Sequence, residues 1–576
     1  MRGILLLCTC ITILATGQVS GATWHVAPPP LGNDSNPGTE GLPFATIQHG
    51  IDASSDGDTV TVAQGTYQEN VKFKGKNIFL TGTNPLDPDV IAKTIIQRRQ
   101  LGPTVTFSGT EKPSCSLSGF TVWDGKWGNG GAIRGNGTRA TIGLNIITGG
   151  TADSYGGGLY GCDGPIYLNV ITVNSSGLGG GGLAFCNGPI QFNVISFCWS
   201  DEGGALYECH GTIQNNTVTD CAASVYGAGL YDCDGDILNN TITKCCATLN
   251  GGGLHSCSGT LQNNTLTANS ANGGALGGGG LCECNGTIQG NAITKNSASQ
   301  GGGLSYCHGL IQNNVIAGNV AGGGLVSQGG GLAWCFALIR NNLIASNQVQ
   351  QSGCPGGGLS ACFGTIENNT ITGNRVGGDG WGGGVSRCGT IRNCVIWGNS
   401  ASQEAQVDRQ SEVPTYCCIQ DWWEGGEGNI ALNPRLCDPD GPDDDFFTLE
   451  DNDCHLDWDS PCIDAGKNEP WMWGGIDLDG NNRVFLGGKS ATVDMGAYEY
   501  GSFRFTVVNV ERTSSNQLKL TWTSRPGDTY VLTSSGILNR PDWFQEGTVP
   551  SQGATTSFSV NMGIGSRNFY RIEMAH

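Results

Sequence analysis

The stretch GGGLHSCSGTLQNNTLTANSA, residues 251–271, recurs with variations about ten times between Gly156 and Ala401. Its cysteines stand at Cys162, Cys186, Cys209, Cys233, Cys257, Cys284, Cys307, Cys335, Cys362 and Cys388, so the step runs from 23 to 28 residues. A unit this short cannot bury an apolar face of its own. Copies must stack on one another into a solenoid.

Inside each unit the leucine and the cysteine are three apart, as at Leu254 and Cys257. One straight strand cannot point both inward, so a bend lies between them. A second column runs through Asn145, Asn169, Asn193, Asn216, Asn240, Asn264, Asn291, Asn314, Asn342 and Asn369, and breaks at Cys394. Stacked asparagine amides hydrogen-bond from one layer to the next. Three short strands and three turns per unit suit a parallel β-helix, and the pattern of leucine-rich repeats is missing. In-register cysteines point the same way, so their Cβ atoms stay near the coil spacing of about 4.8 Å, too far for a disulfide. They read as buried reduced thiols acting as small hydrophobes. Cys417, Cys437, Cys454 and Cys462 stand outside this column and are the better disulfide candidates.

The chain has 576 residues, 95 of them glycine, with 14% charged residues and a net charge of -20. That balance argues against nucleic acid, whose phosphates need a basic face. Residues 1–22 read as a signal peptide: Arg2, an apolar stretch from Ile4 to Ala15, then a cleavage site near Ala22. No later apolar run is long enough to span a bilayer. The mature chain is therefore expected to be secreted or held at the cell surface, and monomeric. Residues 23–110 form an N-terminal cap and first coils, with Phe44, Ile47 and Ile51 on one face of a short helix. Residues 111–401 are the β-helix repeats, and 402–500 a Trp- and Asp-rich wrap over the end of the solenoid. Residues 503–576 alternate like a small all-β module, with Trp522 and Tyr530 as core residues.

The alternation in ITKNSASQGGGL (Ile293 to Leu304) resembles bacterial right-handed parallel β-helix repeat proteins and the repeats of polymorphic outer-membrane adhesins. The opening WHVAPPPLGNDSNPGTEGLPFATIQHGID is similar to the N-terminal cap of secreted pectate-lyase-like proteins. CVIWGNSA, SPCIDAGKN, IDLDGNNRV and VDMGAYEY resemble the closing segments of β-helix proteins from environmental bacteria such as planctomycetes. The tail resembles fibronectin-III-like modules of bacterial extracellular proteins. The resemblance implies an all-β fold: a right-handed parallel β-helix solenoid with an N-terminal helical cap and a small C-terminal β-sandwich. It implies export, and it leaves function open, since that superfamily includes lyases, hydrolases and adhesins.

A polysaccharide lyase needs calcium-holding carboxylates and a Lys or Arg base. Only nine Lys and Arg fall between residues 125 and 401, and the pectate-lyase W-x-D-H and R-x-P-x-x-R signatures are absent. One constellation stands out. Glu208 and Asp232 follow the repeat leucine on adjacent coils, with Asp234 and His210 close behind and Glu283 two coils beyond Asp232. Stacking sets Glu208 and Asp232 about 5 Å apart, the separation of a retaining glycosidase pair. Glu208, Asp232 and Asp234 are thus the candidate catalytic residues, while in so acidic a chain they also suit a solvated edge. DLDGN makes Asp477, Asp479 and Asn481 candidate Ca2+ ligands, without the full twelve-residue loop. Tyr160, Tyr207, Tyr231, Tyr306, Trp334 and Trp381 could stack on sugar rings. The expected function is a non-catalytic exported β-helix scaffold for extracellular or surface binding or adhesion, with polysaccharide or cell-surface glycans as partners. The alternative is a carbohydrate-active enzyme, a polysaccharide lyase or a glycoside hydrolase.

Overall fold

The structure is a computed structural model. It describes residues 21–323, 327–449, 451–484, 491–500, 507–514, 517–524, 529–535, 544–553, 555–561 and 569–574. The expected signal peptide falls largely on residues 1–20, outside the described residues. The chain forms two compact units, one holding everything up to Leu478 together with Asn482–Tyr500, the other Asp479–Asn481 with Gly501–His576.

The first unit is a parallel β-helix, with four strands per coil where the sequence suggested three. In the coil at residues 251–271 the strands are Leu254–His255, Thr260–Gln262, Thr265–Thr267 and Ser270–Ala271. Stacked on their counterparts, they form parallel sheets of 13, 15, 15 and 11 strands respectively. The fourth strand is only two residues long, too short to alternate visibly, which is why the spacing hid it.

Each corner is turned by one residue in the left-handed region. In this coil these are Gly251 (φ 67°), Ser256 (φ 54°), Asn263 (φ 55°) and Ala268 (φ 56°). Three of these corner residues are followed directly by an inward side chain, at Cys257, Asn264 and Asn269, all buried. The bend expected between Leu254 and Cys257 is therefore Ser256. The asparagine column behaves as stacked amides should. The Asn264 side-chain amide donates to Ile237 O at 2.7 Å and to Asn291 Oδ1 at 3.0 Å, while its own Oδ1 accepts the Asn240 backbone N–H at 2.8 Å. At the break, the Cys394 backbone N–H faces Cys417 Sγ at 3.3 Å.

A second amide ladder escaped the sequence reading. Asn269, Asn296, Asn319, Asn347, Asn374 and Asn399 bond coil to coil at the third corner, for example Asn296 Nδ2 to Asn319 Oδ1 at 3.0 Å. Cys198, Cys221 and Cys245 occupy the same position in earlier coils, all buried. The substitution of thiol for amide there concealed the column.

The main cysteine column is buried and reduced, and burial holds thiols such as Cys257 well above their usual pKa. Contrary to expectation, Cys417, Cys454 and Cys462 also carry free, buried thiols. Cys417 continues the amide column instead of leaving it, and the Cys462 thiol hydrogen-bonds with that of Cys418. Cys437 lies on the strand Leu436–Asp438, which pairs with the strand of Cys454.

The N-terminal cap is as expected. Helix Ile47–Ala53 starts at Thr46, whose hydroxyl accepts from the His49 N–H, and Glu69 takes the free Ile47 and Gln48 amides. Phe44, Ile47 and Ile51 are buried over the first coils. At the other end the wrap lies along the outer face of the third sheet. Val170 and Val194 on that face are about two-fifths exposed, whereas the equivalent Thr370 and Val395 are buried beneath the wrap. Corner asparagines anchor it: Asn313 to Asp477 O at 2.9 Å, Asn341 to Ile476 O at 2.7 Å, and Asn393 to Lys467 O at 2.9 Å. Within the wrap Arg483 is fully buried, donating to the Asp494 and Gly496 carbonyls at 3.0 Å each. The second unit is a small sandwich of two three-stranded antiparallel sheets, with Trp522 and Tyr530 in its core, edge to face at 5.7 Å.

Asn264→Leu keeps the branched outline of the side chain but strips partners from Asn240, Ile237 and Asn291. It is expected to cost about 3 kcal/mol, read as a lowered urea midpoint. Ellman's reagent is expected to spare the ladder thiols in the native protein and to titrate them after denaturation.

Candidate functional site

The corner between the first and second strands is the part of the coil with most sequence freedom. Its inward duty is met by the cysteine, and the left-handed residue just before it projects to solvent. Going along the stack, that position is Phe185, Glu208, Asp232, Ser256, Glu283, Tyr306 and Trp334, with φ between 45° and 54° throughout. Successive pairing of Leu206 with Leu230, Leu230 with Leu254 and Leu254 with Leu281 keeps these side chains in register, one coil apart.

Residues just after the cysteine brace the turn. The Asp234 carboxylate accepts the Ser258 N–H at 2.9 Å, Asn285 Oδ1 the His308 N–H at 3.0 Å, and His308 Nδ1 the Phe336 N–H at 3.2 Å. His210 Nδ1 faces the Asp234 N–H at 3.4 Å. Asp234 and the two histidines thus have a structural task in holding one coil to the next.

Together these two columns form an open groove of about 430 Å³, lined by Asp232, Asp234, Ser256, Ser258, Glu283, Asn285, Tyr306 and His308. Of the three candidate catalytic residues, two line the groove. Glu208 lies one coil beyond it, still close enough to act on Asp232. Burial raises the Asp232 pKa, and the negative charges of Asp234 and Glu208 raise it further. Glu202 is raised likewise, by burial and then by Asp201, Glu208 and Asp232.

Beneath the groove lies His255, which the sequence reading passed over. Its ring stacks on Tyr231 at 5.5 Å and lies 4.8 Å from Tyr226. Its Nδ1 is 2.8 Å from Ser256 Oγ, and its Nε2 is 3.6 Å from Glu283 Oε2. Burial lowers its pKa against the pull of Cys284 and Glu283. The signal that could have found it is the tripeptide His-Ser-Cys of the repeat itself, a histidine set where other coils carry Tyr or a small residue. Aromatic stacks flank the groove along the solenoid: Tyr207 on Tyr231 at 5.4 Å, and Tyr306 on Trp334 at 6.1 Å.

The DLDGN segment has a different layout. Asp477 is buried and accepts the Glu499 N–H at 3.0 Å, Asn481 is buried, and Asp479 is exposed. Among the described residues no group of three or more His, Cys, Asp or Glu is disposed to hold a metal ion. Of the aromatics singled out, Tyr207 is buried in its stack, and Trp381 lies under the Arg387 guanidinium at 5.7 Å.

A family model described as a protein of unknown function, DUF1565, matches residues 31–75, the N-terminal cap. No curated protein matches the chain. Among solved structures, a complex of XylC with xylose is 11% identical, covering 72% of this chain and 87% of that one, at a TM-score of 0.23. Pectate lyase Pel9A is 14% identical, covering 84% and 97%, at 0.18, and a rhamnogalacturonan lyase is 15% identical, covering 76% and 97%, at 0.16. Likeness at these scores carries no functional assignment.

With its pKa raised in the folded state, Asp232 contributes stability when protonated, below the ordinary carboxylate range. That contribution is lost as pH rises through the raised value. Asp232→Asn is expected to raise Tm at pH 7 in low salt and to leave it unchanged at pH 3. A thermal melt at both pH values checks the sign.

Proposed function

We propose that the chain is an exported β-helix scaffold that binds extracellular or cell-surface glycans in the groove between Asp232 and Tyr306. One observation carries this. The groove presents carboxylates, hydroxyls and an amide at the spacing of one coil, with the Tyr306 ring, stacked on Trp334, at its end. Sugar recognition uses that combination: acceptors and donors for ring hydroxyls, and ring faces for the apolar side of a pyranose. The groove is open along the stack and suits an extended polymer rather than an enclosed small molecule.

The coil spacing of about 4.8 Å is close to the length of one sugar unit in an extended chain, so repeating corners can meet repeating sugars. Ordering by the β-helix keeps the corner residues rigid, which lowers the entropic cost of binding. The carboxylate neighbours Glu208 and Asp232 give a glycosidase reading the same location, and a single experiment separates the two.

The full chain is to be titrated calorimetrically against a panel of neutral, amino and acidic oligosaccharides, with reducing ends counted after long incubation. Binding without new reducing ends is expected. Tyr306→Ala is expected to weaken it by about tenfold through lost stacking. Failure of every glycan to bind, or an unchanged affinity in Tyr306→Ala, overturns the reading. Release of reducing ends that Asp232→Asn abolishes replaces it with the glycosidase.

A further inference from the structure

The outer face of the third sheet changes character along the stack. In the coil at residues 192–199 every outward position except Ser196 carries a large apolar side chain. These are Phe192 at the second corner, Val194 on the strand, Phe197 at the third corner, 61% exposed, and Trp199 just beyond it, 46% exposed. Val170 and Val173 repeat the pattern one coil earlier, and Trp123 leans against Gly149, which holds the third corner of the coil before that. One coil further on the equivalents turn polar, to Asn215, Thr217 and Asp220. The apolar belt thus has an edge, unlike the single exposed apolar residues of an ordinary surface.

Among the described residues nothing covers this belt, although the same face is covered near the end of the solenoid. There Thr370 and Val395 stand where Val170 and Val194 stand here, and the wrap sets Leu449 on the Gly318 corner and Phe446 on the Gly373 corner. Small corner residues receive apolar side chains from the wrap. Val173 and Phe197 at the same corner project instead, and need a surface opposite. Coils with exposed Thr217, Thr241 and Thr265 separate the belt from the wrap.

The chemistry of the belt suits a second copy of the chain. Its strand hydroxyls are spent on one another, with Thr172 Oγ1 and Ser196 Oγ 2.9 Å apart, so they are closed to the hydroxyls of a sugar. No charged residue occurs in 168–175 or 192–199, in a chain of net charge -20. Two such chains repel across most of their surfaces, and an uncharged belt is where they can meet. At roughly 150–250 Å² for a whole aromatic side chain, the exposed parts of Trp123, Phe192, Phe197 and Trp199 come to about 400 Å². The aliphatic side chains around them bring the belt towards the roughly 800 Å² that each partner buries in a standard interface.

We propose that this belt is a two-fold interface between two copies of the chain, in place of the monomer that the sequence suggests. A two-fold contact needs a surface complementary to itself, and apolar side chains repeated from coil to coil on one sheet face meet that need. The belt lies two corners round the coil from the glycan groove. Both grooves stay open in the dimer, and the inference stands apart from the glycan reading.

The test is sedimentation equilibrium of the full chain from about 1 to 100 µM. Twice the chain mass is expected at the upper end, with tighter association in sulfate. Phe197→Asp gives this corner the residue that Asp220 supplies one coil on, at the same left-handed backbone, and circular dichroism verifies the fold. It is expected to weaken association at least about 100-fold, tenfold for each of the two copies. Trp199→Ser, matching Ser175 of the coil before, is expected to act in the same direction and covers the case in which Phe197→Asp misfolds. Thr243→Asp, on the same face outside the belt, is expected to change nothing. A chain that stays monomeric throughout overturns the inference, as does a dimer that survives both belt variants. Monomers that bind phosphatidylcholine vesicles through Phe197 overturn it in favour of a lipid surface.

Discussion

The molecule depends on side-chain amides that bond from coil to coil inside the solenoid. A corner in a β-helix interrupts the backbone ladder and leaves N–H and C=O groups facing inward, where no water can reach them. Asn264 answers this with one side chain, accepting from the coil before and donating to a backbone carbonyl and to the next asparagine. To present the amide inward, the preceding residue must adopt a left-handed conformation, at roughly 1 kcal/mol for a residue with a Cβ. The cost is met repeatedly because every copy of the amide satisfies several buried groups. Four corners per coil then follow, and with them four narrow sheets in place of two or three broad ones.

The left-handed residue that positions an inward side chain must itself point outward. At the second corner that outward residue is asparagine in the later coils, and Asn313, Asn341 and Asn393 use their free amides to hold the wrap. At the cysteine corner it varies from coil to coil, running from Glu208 through Asp232, Ser256 and Glu283 to Tyr306. Buried thiols there make few demands, so the outer face could take on acidic and aromatic side chains without loss of the fold. The groove is a product of that freedom.

Much of this was legible in the residues. Cys257 and its counterparts announced the period, the Asn264 column announced the first ladder, and Leu254 with Cys257 three residues on demanded a bend. What escaped detection did so for identifiable reasons. Two-residue strands such as Ser270–Ala271 cannot display an alternation, so the fourth sheet was invisible. Cys198, Cys221 and Cys245 replace amides by thiols, so the second ladder looked broken before it looked like a ladder. At the site, Asp232 and Asp234 were visible as departures from the repeat. Glu208 was placed in the same group by spacing, yet it sits one coil outside the groove. His255 was hidden because its significance lies in Glu283, a residue of the next coil, and in stacking that sequence spacing does not report.

The same geometry divides the work of the solenoid between corners. The wrap runs over the third sheet and over the second-corner asparagines of the last coils, and its own interior is closed by Arg483 with Asp494 and Glu499. Burial pushes the latter two carboxyls up, to about 7 and about 9, even against the pull of Arg483. The groove carboxylates are of another kind: Glu283 is two-fifths exposed, stands at the surface in register with its neighbours, and faces the buried His255 Nε2 at 3.6 Å. In the wrap, buried charge is matched by a buried arginine and backbone dipoles. In the groove, among the described residues, no lysine or arginine pairs with Asp232, Asp234 or Glu283, and these side chains are held instead by the register of the coils that carry them.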